Sequence, residues 1–178
     1  MDTSELKEFT VRYTAAWCSQ NAASVASFFD EEGSLKINDG SPAVGRTAIT
    51  AAAQEFMTAF PDMIVKMAGL DGKDGRIIFH WTLTGTNTGP GGTGNAVEIN
   101  GYEEWRIGID GLIAESRGHF DEAEYQRQLK AAAAGGGWSA RRPGTLAVEE
   151  IFHAERQRRT TKENLGHPCK DGCPDIPP

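Results

Sequence analysis

The stretch from Gly101 to Asp121 reads GYEEWRIGIDGLIAESRGHFD, and it constrains the fold more tightly than any other part of the chain. Asp110-Gly111 is a strong hairpin signal, because a type I′ turn needs φ > 0 at both central residues and Asp-Gly adopts that cheaply. A two-residue loop also sets the register. Ile109 then faces Leu112, Ile107 faces Ala114, Trp105 faces Ser116 and Glu103 faces Gly118. On the opposite face Arg106 meets Glu115, Glu104 meets Arg117 and Tyr102 meets His119. Cross-strand pairs of this kind contribute roughly 0.2–1 kcal/mol each. The first face is apolar with a single carboxylate on it, Glu103. A lone carboxylate there is costly unless paired or protonated, and an apolar site can hold a carboxyl neutral so that it donates a hydrogen bond. The plainer alternative is a twist or bulge that turns Glu103 to water. The second strand closes on His119-Phe120-Asp121, and these acids are the place to look for chemistry.

Upstream, Asp2 with Glu5 reads as a capping pair. Leu6, Phe9, Tyr13, Ala16 and Trp17 follow at helical spacing. Asn21 caps a short second helix carrying Val25, Phe28 and Phe29 and ending near Gly33. Ser34–Asn38 reads as a brief strand. Ile49, Ala53, Phe56 and Phe60 mark a third helix stopped by Pro61. Beyond Pro61 the period changes to that of strands. Ile64–Leu70 is followed by a loop over 71–75, a long strand Arg76–Thr86, a flexible glycine-rich loop over 89–94, and a strand from Ala96 into the hairpin. Asp121 starts a last helix, Glu122–Lys130. Helices first and long antiparallel strands after them predict an α+β layer fold. The expected domain spans residues 1–130. Residues 131–178 open on AAAAGGG and read as a linker and extension, partly helical over 145–165 or disordered.

The net charge of −7 argues against a general nucleic-acid or anionic-membrane binder. The charge is uneven. Residues 1–130 carry 19 acids and 11 bases, 11 − 19 = −8, and the remainder carries 6 acids and 7 bases, +1. No apolar run approaches the ~20 residues of a membrane-crossing helix. The charged start MDTSELKE lacks an apolar signal core, which predicts a cytoplasmic protein. Cys18 falls in a helical pattern as a buried thiol. His167, Cys169 and Cys173 have metal-ligand character, but three ligands without a fourth make a weak zinc site, and no metal or cofactor is expected.

Placed together, AVGRTAI before the third helix, FMTAFPDM at its end, WTLTGTNTG and the hairpin followed by His119-Phe120-Asp121 resemble the nuclear transport factor 2-like, SnoaL-like group over about residues 4–130. The resemblance implies a cone-shaped, curved antiparallel sheet packed on three N-terminal helices around one deep, mostly apolar pocket. This fold hosts isomerases, cyclases, hydrolases, ligand binders and dimerisation modules, so function must come from the site. Asp121 falls where SnoaL-like cyclases carry their acid/base aspartate; the histidine those cyclases use on the preceding strand has no counterpart between Ala96 and Asp110. The expected activity is acid/base isomerase or cyclase chemistry on a small apolar carbonyl compound, and the alternative is a non-catalytic ligand-binding or dimerisation module. Candidate catalytic residues are Asp121, Glu103 and His119. Asp121 is equally a helix cap, and His119 equally a packed surface histidine. Candidate pocket residues are Tyr13, Trp17, Phe56, Trp81 and Trp105, with Tyr13 offering its hydroxyl to a ligand oxygen. A homodimer through the outer sheet face is implied. In this register Glu103 and Asp121 point to opposite faces unless Gly118 carries a bulge.

Overall fold

The computed structural model describes residues 2–131. The expected linker, the helix over 145–165, and His167, Cys169 and Cys173 lie outside the described residues.

Helix α1, Thr3–Cys18, opens on the expected capping box: the Asp2 side chain accepts from the Ser4 and Glu5 backbone, and the Glu5 carboxylate accepts from the Asp2 N–H. Its Phe9, Tyr13 and Trp17 are buried at helical spacing. Helix α2, Ala22–Ala26, is capped by Asn21 and is shorter than its apolar residues suggest. Phe28 and Phe29 leave the helix, and β1 runs over Phe29–Ile37 rather than starting at Ser34. Phe29 therefore supports the core from a strand. The short β2, Ala43–Val44, precedes α3, Arg46–Ala59.

Four long strands follow: β3 over Ile64–Lys73, β4 over Arg76–Thr86, β5 over Ala96–Ile107 and β6 over Ile113–Phe120. Helix α4, Glu122–Lys130, completes the described chain. The six strands form one sheet in the order β2-β1-β6-β5-β4-β3. It is mixed rather than wholly antiparallel, because β1 lies parallel to β6. The architecture is α+β, with α1 packed against β3, α3 against β1 and α4 against β5.

The turns differ from expectation in an instructive way. The two-residue Asp-Gly turn with both φ positive lies at Asp74 (φ 50°) and Gly75 (φ 74°), where Lys73 pairs with Arg76. The expected open loop over 71–75 is thus mostly strand. At 110–111 only Gly111 has positive φ, 78°. The Gly108 N–H donates to the Leu112 carbonyl across a three-residue loop, and Ile109 at the tip is fully exposed instead of facing Leu112. The loop alone would slip the ladder by one residue. Ala114 has no partner between the Ile107–Ile113 and Arg106–Glu115 pairs, and this bulge restores the register. Every expected pair from Arg106–Glu115 down to Tyr102–His119 is then present. The bulge also lets Ile113 and Ser116, of opposite parity, both face the core.

The glycine-rich loop is tied down. Asn87 donates from Nδ2 to the Ala59 carbonyl and accepts the Thr93 N–H, 3.2 and 2.8 Å. A Cβ on Gly89 would stand 1.9 Å from the Thr58 carbonyl oxygen, so the loop lies directly on the end of α3.

Candidate functional site

The inner face of β5 carries Gly101, Glu103 and Trp105 in alternation, opposite Trp81, Phe79 and Ile77 of β4. On its other side Glu103 and Trp105 face Gly118 and Ser116 of β6. No bulge interrupts β6 at Gly118, so the conflict between the two acids is resolved geometrically: Glu103 points inward. It is only 7% exposed.

Three donors converge on one oxygen of that carboxyl group. Glu103 Oε2 accepts from Ser116 Oγ at 2.6 Å, Trp105 Nε1 at 2.8 Å and the Tyr13 hydroxyl at 3.1 Å. Oε1 has a single contact, 3.4 Å to the same Tyr13 hydroxyl. Tyr13 reaches the group because α1 lies on the sheet with its ring edge-on to Trp105 and Phe79. Trp105 is held by stacking on Phe79, centroids 4.8 Å apart. Burial pushes the Glu103 carboxyl above its ordinary range, against the lowering effect of Ser116, Trp105 and Tyr13. Burial, reinforced by the Glu103 charge, pushes the Tyr13 hydroxyl well above its own range, so Tyr13 serves as a donor.

Glu103 also forms part of the wall of a cavity of about 60 Å³, whose remaining lining is almost wholly apolar. Trp17 from α1, Phe56 from α3 and Trp81 from β4 line it, with Phe120 and Gly118 from β6. Tyr13 and Trp105, expected in the wall, instead stand behind Glu103 and hold it. A Cβ on Gly118 would come within 3.8 Å of Glu103 Cγ, so the missing side chain leaves room beside the acid.

Asp121 stands apart from this cavity. It is exposed, and its carboxylate accepts the Glu124 N–H at 2.9 Å as the N-cap of α4. His119 lies on the outer face, stacked on Tyr102 with centroids 4.8 Å apart and 3.9 Å from Glu104. His80 lies on the same face and pairs with Asp71 at 2.9 Å. Among the described residues no group of three or more His, Cys, Asp or Glu side chains is placed to hold a metal ion.

The residue missed in the sequence is Ser116. Its signal was its position: the register sets it opposite Trp105 on the face that carries Glu103. Leu35, Ile37 and Val65 in the cavity wall were also missed, since nothing in their strands distinguishes a cavity wall from a filled core.

A mixed sheet, helices packed against it and an apolar cavity around one buried carboxyl define a protein of the nuclear transport factor 2-like fold. The chain belongs to the SnoaL-like polyketide cyclase family, whose model matches residues 7–129. No curated protein matches the sequence. Among solved structures it is similar to a protein of ketosteroid isomerase-like fold from Catenulispora acidiphila DSM 44928, in complex with trimethylamine (14% identity, 73% of this chain and 98% of that one, TM-score 0.62). It is also similar to TsrD from Streptomyces laurentii (17% identity, 74% and 99% covered, TM-score 0.63). A third is a phenazine biosynthesis-related protein from Pseudomonas aeruginosa (20% identity, 79% and 92% covered, TM-score 0.60). At these identities the likeness is one of fold.

Proposed function

We propose that the cavity is a cofactor-independent acid/base site of the isomerase or cyclase type, in which Glu103 exchanges a proton with a small, apolar carbonyl compound. The observation that carries this reading is the asymmetry of the carboxyl group. Oε2 is taken up by three donors, and Oε1 has one long contact. Oε1 is then the oxygen that takes a proton from carbon next to a carbonyl and returns it. Ser116, Trp105 and Tyr13 hold the carboxyl in one orientation and stabilise its ionised form, while burial keeps the protonated form accessible. On this reading Asp121 is structural. The non-catalytic alternative shares the cavity but leaves a costly buried acid without a task.

The test is hydrogen–deuterium exchange at the α-carbon of small cyclic ketones, followed by NMR in D₂O. The expected result is catalysed exchange by the wild type, reduced roughly 100-fold or more in Glu103→Gln. Equal exchange by the two proteins would sink the assignment. We also propose a homodimer through the outer sheet face, supported by the Tyr102–His119 stack there, in which Tyr102 is exposed.

A further inference from the structure

Among the described residues, Trp81 carries the one buried side-chain polar atom in the cavity wall without a hydrogen-bond partner. Its indole Nε1 is shut off from solvent and has no hydrogen-bond partner. Buried polar groups almost always find partners, so an orphaned N–H calls for an explanation. Two other buried atoms, Arg76 Nη1 and His119 Nε2, also lack partners, but both side chains lie beside a carboxylate, Glu115 and Glu104. Trp81 lines the cavity.

The ring is seated directly against the backbone of β5 at Gly101. Trp81 pairs with Gly101, and a Cβ on Gly101 would lie 2.4 Å from Trp81 Cζ2 and 2.6 Å from Cη2. Only glycine allows the indole to lie there. The edge over Gly101 is therefore that of the six-membered ring, at Cζ2 and Cη2. Gly101 precedes Glu103 by two residues on one strand face, roughly 6.5–7 Å. Phe120 flanks the ring with centroids 6.3 Å apart.

We propose that the Trp81 indole N–H anchors the oxygen of the cavity's ligand, so that the site selects neutral compounds with a carbonyl acceptor over hydrocarbons of the same shape. This rests on the reading of Glu103 as the acid/base group of the same cavity. The placement suits it: Trp81 and Glu103 line the same cavity from adjacent strands, with Trp81 paired two residues before Glu103. The donor also stabilises the negative charge that gathers on that oxygen when the neighbouring carbon loses its proton.

The indole N–H signals of ¹⁵N-labelled full-length protein provide the test, with the Trp81 signal assigned by its loss in Trp81→Phe. Cyclopentanone should shift the Trp81 signal downfield more than any other indole, and methylenecyclopentane, the same shape without oxygen, should not. Trp81→Phe should weaken cyclopentanone binding about tenfold and methylenecyclopentane binding less than about twofold. A Trp81 signal unmoved by saturating ketone, or moved equally by the hydrocarbon, overturns the proposal even if Trp81→Phe fails to fold. Loss of exchange in Glu103→Gln is a separate readout. A ketone-specific Trp81 shift without any catalysed exchange upholds the anchor and refutes the acid/base reading; exchange without the shift does the reverse.

Discussion

At the residue scale, Glu103 sets two opposing forces against each other. Burial favours the neutral acid, and the donors Ser116, Trp105 and Tyr13 favour the carboxylate; burial prevails and the folded-state pKa lies above the unfolded value. The native state therefore binds this proton more tightly. The resulting stability is fully present below the unfolded pKa and is lost as pH rises through the folded pKa. Glutamine cannot ionise and keeps an oxygen for the same donors. Relative to wild type, Glu103→Gln should thus gain in melting temperature as the pH is raised from about 4 to about 8. A difference that stays constant across that range would mean the carboxyl titrates normally in the fold. Much of this was legible beforehand: alternation alone set Glu103 on an apolar face. The identity of its partners was not, because Tyr13 arrives from a helix 90 residues away in sequence.

At the element scale, two strand-end features separate structure from chemistry. Asp121 caps α4, and Asp121→Ala should cost about 1 kcal/mol by denaturant titration through loss of the bond to the Glu124 N–H. It should leave α-proton exchange unchanged; a hundredfold loss of exchange would return the catalytic role to Asp121. Gly101 performs a different service. Gly101→Ala drives a Cβ into Trp81 and to within 2.6 Å of the His119 carbonyl oxygen, and should destabilise by roughly 1–3 kcal/mol. An unchanged melting temperature would show that the indole moves aside easily. The hairpin shows why register survived a wrong turn. A two-residue loop, or a three-residue loop plus one bulge, uses the same eight residues between Arg106 and Glu115. Both keep every pair below, and local sequence does not choose between them. The glycine at Gly111 is suited to either turn.

At the scale of the whole molecule, no helix among the described residues is long and apolar enough to cross a membrane. The outer sheet face carries the Tyr102–His119 stack beside the Arg76–Glu115–Arg117 ion pairs. If this face joins two copies, light scattering at tens of micromolar should give twice the 19.2 kDa chain mass. Tyr102→Glu should return it to a monomer, and a monomeric wild type would refute the interface. The fold class was legible in the residues because helical and strand periods are local properties, and the change of period falls cleanly at Pro61. So were the three aromatic positions Trp17, Phe56 and Trp81, as apolar residues facing inward from separate elements. The parallel pairing of β1 with β6 was not, since the two strands are separated in sequence by α3 and three other long strands. By itself the sequence determined that Glu103 and Asp121 point to opposite faces of a regular hairpin, because side-chain alternation allows nothing else without a bulge. Only the tertiary structure decided that β6 runs without a bulge at Gly118 and that Glu103 meets three donors on one oxygen and a cavity beside it. Those outcomes depend on groups brought together from distant parts of the chain, and no local pattern encodes their distances.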